Sequence, residues 1–562
     1  MPHSLPHPTA SMTRLKTARL RHKMWIPTVA LGLAITMTAC QQQQVQTVAE
    51  TPEREDVTSA PIGDQTIIEG GDLVMALSAE PDRLDPTTSS SLYTRYVMQT
   101  VCQKLYDIDA NGELVPQLAT ELPQFSDDGL TVTIPVRTDA VFADGTEFNA
   151  EAVAITLDRH LNLEGSSRTS ELGPIVDIAA IDNTRVEITY AEPFAPLTAA
   201  LADRAGMIMS AQALTELGEA FGDNPVCVGP FKFVERVPQT SISVERDPLY
   251  YDAENVHLDS ITYRIMTDSN IRAANLRSGD VDAADSISPQ DVGALIGVDG
   301  IGVLQVGSLG YQGLTLNLGN TDGVGTPPGA IESPLAQDAT VREALSMSID
   351  RESLVKSVFN NWYEPACSPI SPTSPFTSTL SEACTGFDPD GARKLLEEAG
   401  VEIPYPINMQ VTNSPDTLRF AQALQAAVAD VGFEITISPV EYSTLLDVQT
   451  RGDFEAIQLG WSGRVDPHGN MFSFLSTGGG HNYSGYSNDD VDLLLTDAAE
   501  TNDTAERADI YGEAVEKVQE DNPIIYLYRV RSLTAYSTGI AGIETFADGV
   551  VHLSNAAFVE EN

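Results

Sequence analysis

Asp388-Pro-Asp-Gly-Ala-Arg-Lys-Leu-Leu-Glu-Glu-Ala-Gly400 is the stretch on which the fold class turns. Asp388 precedes a proline at the first helical position. Ala392, Leu395, Leu396 and Ala399 then recur on one face, and Gly400 stands just past the end. These are the start, apolar stripe and stop of an amphipathic helix. Downstream, Ser414-Pro415 opens a second helix with Leu418, Ala421, Leu424 and Val428 on one face and Gly432 closing it. Phe433–Val440 follows with the period-two alternation of a half-buried strand. Further out, Leu130–Val136, Arg185–Tyr190, Ser241–Glu245 and Ile261–Met266 alternate in the same way. Val341–Ile349 and Arg351–Phe359 predict two helices broken near Asp350. Strands and helices are mixed without strict alternation, and no period of 20–50 residues runs through the chain, so an α/β fold is expected rather than a solenoid.

The N-terminus reads differently. Arg14, Lys16, Arg19, Arg21 and Lys23 form a basic stretch, Trp25 to Ile35 is largely apolar, and the first acidic residue is Glu50. This is the n-region and h-region of a secretory signal, too short for a comfortable membrane span. The Met-Thr-Ala-Cys run ending at Cys40 resembles the bacterial lipoprotein cleavage box. That resemblance implies a signal peptide over 1–39, cleavage before Cys40 and acylation of its thiol, which holds a protein to a bilayer by burying CH₂ groups. An ordinary signal with an incidental Cys40 is the alternative, and Met12 alone would supply a complete signal. Gln41–Gln44 and the polar, acidic residues to about Asp64 lack hydrophobic periodicity, so residues 40–64 are expected to be a disordered stalk.

The remaining chain is long enough for two or three domains. Five of the 32 basic residues precede Trp25, leaving 27 against 80 acidic ones. Such a surface repels nucleic acid and anionic lipid, so neither is expected as a partner, and any membrane attachment runs through the lipid alone. Besides Cys40 the cysteines are Cys102, Cys227, Cys367 and Cys384. Their even number in an exported chain permits two disulfides. Cys367 and Cys384 bracket a Pro- and Ser-rich loop, and closing it contributes about 3 kcal/mol in the chain-entropy model. Cys102 then pairs with Cys227 by elimination, with free thiols as the other possibility.

Catalytic and metal motifs fail on inspection. Asp107-Ile-Asp109-Ala-Asn111-Gly112 begins like an EF-hand loop, but the twelfth position, Leu118, cannot be the bidentate carboxylate. Asp109–Gly112 is expected instead as a turn between strands. No phosphate-cradling glycine loop or His-Glu-x-x-His is present. Gly460-Trp461-Ser462-Gly463-Arg464 falls one glycine short of a nucleophile elbow. His468 and His481 lack diagnostic metal spacing. With no nucleophile, base and oxyanion hole assembled, no enzyme is expected, and no cofactor or metal.

Eight ordered stretches resemble the extracellular solute-binding proteins of family 5, the peptide, nickel and oligosaccharide receptors of bacterial ABC importers. They are Leu84-Asp85-Pro86; Gln103-Lys-Leu-Tyr106 through Val115-Pro116; the Ser126–Gly129 turn; Phe142-Ala-Asp144-Gly145-Thr146; Val228-Gly229-Pro230-Phe231-Lys232-Phe233; Arg277-Ser-Gly279-Asp-Val-Asp282; Val341-Arg342-Glu-Ala344-Leu345 with Ile349-Asp350-Arg351; and Ala392 to Gly400. They run in order from Leu84 to Gly400, within a resemblance that covers about residues 66–555. The resemblance implies a two-lobed periplasmic-binding-protein-like fold (type II, cluster C). Lobe one would comprise 65–102, 205–310 and 522–562, with an extra domain inserted over 103–204, and lobe two 311–521. It implies a lipid-anchored, monomeric receptor at the outer face of the cell membrane. Such a receptor traps a small organic solute and delivers it to permease subunits served by cytoplasmic ATPases. A metal-chelate or oligosaccharide receptor and an envelope lipoprotein enzyme are the alternatives.

The segment Gly460-Trp461-Ser462-Gly463-Arg464-Val465-Asp466-Pro467 resembles the family's ligand-facing loop. Peptide receptors carry an Asp three residues after the Trp, where it pairs with the peptide α-ammonium. Here that position is Arg464, which would attract a carboxylate or phosphate. The solute is therefore expected to be peptide-like with an anionic group, with Asp466 as a substitute anchor if the loop shifts. Pairing of Arg464 with an acid of the protein is the other reading. The resemblance further nominates Trp461 as an apolar face, Gly313 as a space-making position, Asn482 and Tyr483 at the rim, and Arg204 at a lobe junction.

Overall fold

The capping residues named above set the helices that flank the larger sheets. In the computed structural model, which describes residues 54–560, the Asp388 carboxylate accepts from the Gly391 N–H and the helix Pro389–Ala399 ends in a left-handed Gly400 at φ 69°. Ser414 caps Pro415–Ala429 in the same way, and Asp350 caps Arg351–Phe359 directly after Ala339–Met347. Asp109–Gly112 is a turn between the paired strands Tyr106–Ile108 and Leu114–Pro116. The signal segment, Cys40 and the stalk up to residue 53 lie outside the described residues.

Three main sheets are built from these elements. A seven-stranded sheet runs in the order Phe231–Val237, Ser241–Arg246, Ser260–Ile265, Asp72–Leu77, Ala283–Ala284, Arg531–Ser537, Ile301–Gly307. A six-stranded sheet runs Glu364–Pro365, Ile524–Arg529, Tyr311–Leu316, Ala456–Trp461, Tyr405–Thr412, Phe433–Val440. Its last three strands are parallel, so the ends at Trp461, Thr412 and Val440 share one edge. A four-stranded antiparallel sheet, with Thr131–Pro135 and Arg185–Tyr190 at its centre, is backed by the helix Ala150–Asn162. Alternation buries Val132, Ile134, Val186 and Ile188 beneath it. The sulfurs of Cys102 and Cys227 are joined, as are those of Cys367 and Cys384, with Cα separations of 4.9 and 5.1 Å.

The chain passes between the two large sheets at Ser308–Gly310 and at Val530. The second crossing corrects the expected boundary at 522. Ile524–Arg529 is buried throughout and pairs with Tyr311–Leu316 in the six-stranded sheet, so lobe two continues to Arg529. Arg529 fixes this junction by donating to the carbonyls of Gly310, Ser368 and Ile370.

The start of the described chain brings a further correction. Residues 54–60, expected within the stalk, lie against the body. Ser59–Ala60 pairs with the strand Ile543–Thr545, and Val57 exchanges both backbone hydrogen bonds with Gln305. Asp56 pairs with Arg531, Arg54 pairs with Glu364, and the Arg54 carbonyl accepts from Arg531. Polar residues defeat a periodicity test, but they hold an extended segment once backbone partners and counter-charges are in reach.

Candidate functional site

A cavity of about 280 Å³ lies between the two large sheets. Lobe one contributes Ser78, Tyr93 and Arg272, and lobe two contributes Tyr311, Asn413, Tyr442 and Trp461. The lobes touch around it. Tyr93 meets Tyr442 edge-to-face with centroids 5.2 Å apart, Ser288 Oγ donates to Asp416 at 2.8 Å, and Arg83 reaches Asp447 at 3.5 Å. The loops after the parallel strands ending at Trp461, Thr412 and Val440 form one wall, the usual position for ligands at the carboxyl edge of an α/β sheet.

The lining is aromatic and hydroxylic, and its charges are unevenly free. Arg272 donates to the carbonyls of Met266, Asp285 and Ser286. Arg531 is held by Gln305, Asp56 and the Arg54 carbonyl. Glu441 caps the helix Tyr442–Arg451. Partial burial pushes its carboxyl up, but hydrogen bonds from Ser443 and Thr444 outweigh that and hold it below the ordinary carboxylate range.

Behind the Trp461 end of the cavity lies a buried charge cluster. Asp203 accepts from Arg95 at 2.8 Å and pairs with Arg464 at 2.5 Å. Arg95 also pairs with Asp548 at 2.5 Å, and Arg168 with Glu171 at 2.7 Å. Arg204 donates to the carbonyls of Ser89 and Ser91. These four guanidiniums face three carboxylates, leaving one positive charge in excess within the group. Burial lowers Arg464 to about 9, with repulsion from Arg95 adding and Asp203 opposing. Burial and then Arg168 lower Arg204 to about 10. For Asp203 burial acts upward, yet Arg464, Arg95 and Arg204 hold the carboxyl well below its ordinary value. His481 is kept neutral by burial and by the same arginines.

Residues 113–483 match the family described as bacterial extracellular solute-binding proteins, family 5. The chain belongs to this family. Among curated relatives of this family 5 protein, the glutathione-binding protein GsiB of Pectobacterium atrosepticum is 28% identical over 501 residues, covering 87% of this chain and 94% of that one. Among solved structures, DppA of Helicobacter pylori in complex with the peptide STSA superposes with a TM-score of 0.79 at 22% identity, covering 88% and 99%. AgaA of Agrobacterium tumefaciens in complex with agropinic acid gives 0.77 at 24%, covering 88% and 99%. The fold is therefore the two-lobed periplasmic-binding-protein architecture.

The structure places the nominated residues of this family 5 protein unevenly. Trp461 and Tyr483 line the cavity. Arg464 does not. It stacks on Trp461, 4.2 Å from the ring centroid, and its charge goes to Asp203 rather than to the nearby Asp466. Asp466 is held at two 2.8 Å contacts by Arg507, so it is not free to anchor a ligand. Asn482 donates to the carbonyls of Ser476 and Tyr486 and so shapes a turn. Arg204 is fully buried behind Ser89–Ser91. A Cβ at Gly313 would meet the Ile524 side chain at 2.9 Å, so the glycine serves strand packing and does not widen the cavity. Sequence reasoning missed Tyr93, Asn413, Glu441, Tyr442 and Ser462. Asn413 and Glu441 each directly follow a strand of the parallel set, a signal available once those strands are assigned.

Among the described residues no three His, Cys, Asp or Glu side chains converge as metal ligands, and no helix is long and apolar enough to cross a membrane.

Proposed function

We propose that this family 5 protein is the receptor of a bacterial ABC importer for a small peptide-like solute carrying a carboxylate. It delivers that solute to permease subunits powered by cytoplasmic ATPases. The observation that carries this reading is the cavity walled by both lobes, small, aromatic and rich in hydroxyl donors. Its size stands at the low end for organic-ligand sites, which suits a solute of two or three residues. The relatives named for glutathione and the peptide complex of DppA support the class.

The protein works by capture and closure rather than by bond chemistry. A solute touching both lobes binds the closed form better than the open one and shifts the population toward it by that differential affinity. Tyr93 and Tyr442 meet from opposite lobes and would close over it. The protein acts as a monomer tethered through a lipid on Cys40. The basic stretch, the apolar run and the Met-Thr-Ala-Cys box support the tether.

Native mass spectrometry of the gently purified protein, followed by calorimetry with glutathione and a set of di- and tripeptides, tests the reading. A bound mass that calorimetry reproduces as a peptide-like acid supports it. Failure of every member to bind at millimolar concentration rejects it. Cys40→Ser should shift the protein from the membrane fraction to the soluble one, and an unchanged distribution rejects the tether.

A further inference from the structure

We infer that Ser462 is the cavity's anion reader, its hydroxyl proton presented to the solute's carboxylate by two buried guanidiniums that never touch the solute. The inference rests on the reading above, because it assigns the recognition of the proposed carboxylate to one atom.

A serine hydroxyl has one proton to donate and two lone pairs to accept with. Ser462 Oγ accepts from Arg95 Nη1 and from Arg464 Nη1, both at 3.3 Å. Both lone pairs are thus engaged by cations. Among the described residues the Ser462 hydroxyl donates no hydrogen bond, and Ser462 lines the cavity. The proton is left to point into the cavity, polarised by two positive charges. Hydrogen bonds in such a chain strengthen one another.

The surroundings favour an anion at this point. The cluster of Arg95, Arg168, Arg204 and Arg464 against Asp203, Asp548 and Glu171 carries an excess positive charge. Arg204 Nη2 and Arg464 Nη2, both buried, find no acceptor among the described residues. Their field reaches the cavity through Trp461, on which Arg464 stacks with Arg204 at 5.9 Å. A direct arginine contact would leave a buried guanidinium bare whenever the site is empty. A serine relay keeps the guanidiniums paired with Asp203 and exposes only a neutral hydroxyl. The opposite polarity lies along the same wall: Glu441 follows the strand two places over, about 10 Å away at the usual strand spacing. The cavity would therefore take a solute whose carboxylate sits at Ser462 and whose neutral or cationic part extends toward Glu441.

Calorimetry with glutathione and a set of di- and tripeptides, each as free acid and as C-terminal amide, tests this on wild type, Ser462→Ala and Ser462→Thr. The wild type should prefer the acid by tenfold or more, the strength expected of a charge-assisted hydrogen bond. Ser462→Ala should erase most of that preference by weakening acid binding far more than amide binding. Ser462→Thr should restore it. An acid preference that survives in Ser462→Ala, or a loss of acid and amide binding in equal measure, overturns the role of Ser462 and leaves the receptor reading standing. If no member of either series binds the wild type, the peptide-like reading fails and this inference falls with it.

Discussion

Asp466 shows how far one residue can move between expectation and place. Its carboxylate is gripped by the Arg507 guanidinium, and both side chains are nearly excluded from water. Removing one member of such a pair strands the other charge in low dielectric. Asp466→Ala should therefore lose about 3–5 kcal/mol of stability in urea unfolding, where a ligand anchor would instead lose affinity with stability intact. Asn482→Ala should cost about 1–3 kcal/mol by leaving the Tyr486 carbonyl unpartnered, while the Ser476 carbonyl keeps the Gly479 N–H. Trp461→Ala should weaken solute binding at least tenfold by calorimetry, since it removes the cavity wall and the ring under Arg464. Trp461 was legible because its loop carries the family pattern. The partner of Arg464 was not, because Asp203 lies in a distant segment and a charge does not announce which opposite charge will reach it in three dimensions.

Elements carry the next set of consequences. Helices were the most legible, since Asp388, Ser414, Gly400 and their apolar stripes are local signals whose physics is complete within a few residues. Sheet membership was not. Ile-Ile-Tyr-Leu-Tyr-Arg at 524–529 reads as a buried strand, but its burial pattern is the same in either sheet, and only pairing with Tyr311–Leu316 decides. The two disulfides act on different scales. Cys367–Cys384 closes a separation of 17 residues and Cys102–Cys227 one of 125, tying the end of the helix Leu92–Val101 to the segment before Phe231. In the chain-entropy model the first contributes about 3 kcal/mol and the second about 5. Cys102→Ser/Cys227→Ser should therefore lower the unfolding midpoint more than Cys367→Ser/Cys384→Ser, measured side by side in urea. The reverse order would place the stabilisation in the folded state instead of in the constrained unfolded chain.

The whole molecule should respond to acid in a specific window. Burial lowers His468 from its ordinary 6.5 to about 4, partly opposed by Asp466, and holds His160 and His481 well below theirs. Between pH 6.5 and 4 the unfolded chain binds protons that the folded one refuses, so these histidines make stability fall as pH drops through that range. His468 alone should account for about 3 kcal/mol. Urea melts at pH 7, 5.5 and 4.5 should show the decline, and His468→Gln should shallow it; equal slopes would contradict the assignment. A last consequence belongs to the segment Arg54–Ala60. It crosses beside both hinge passages, touching Gly307 and Arg531 through Asp56 and lobe two through Glu364. A leash fastened at the pivot has almost no lever arm. When the lobes swing, an attachment at this point stays where it is, so a tether of the kind proposed through Cys40 would add nothing to the work of opening or closing.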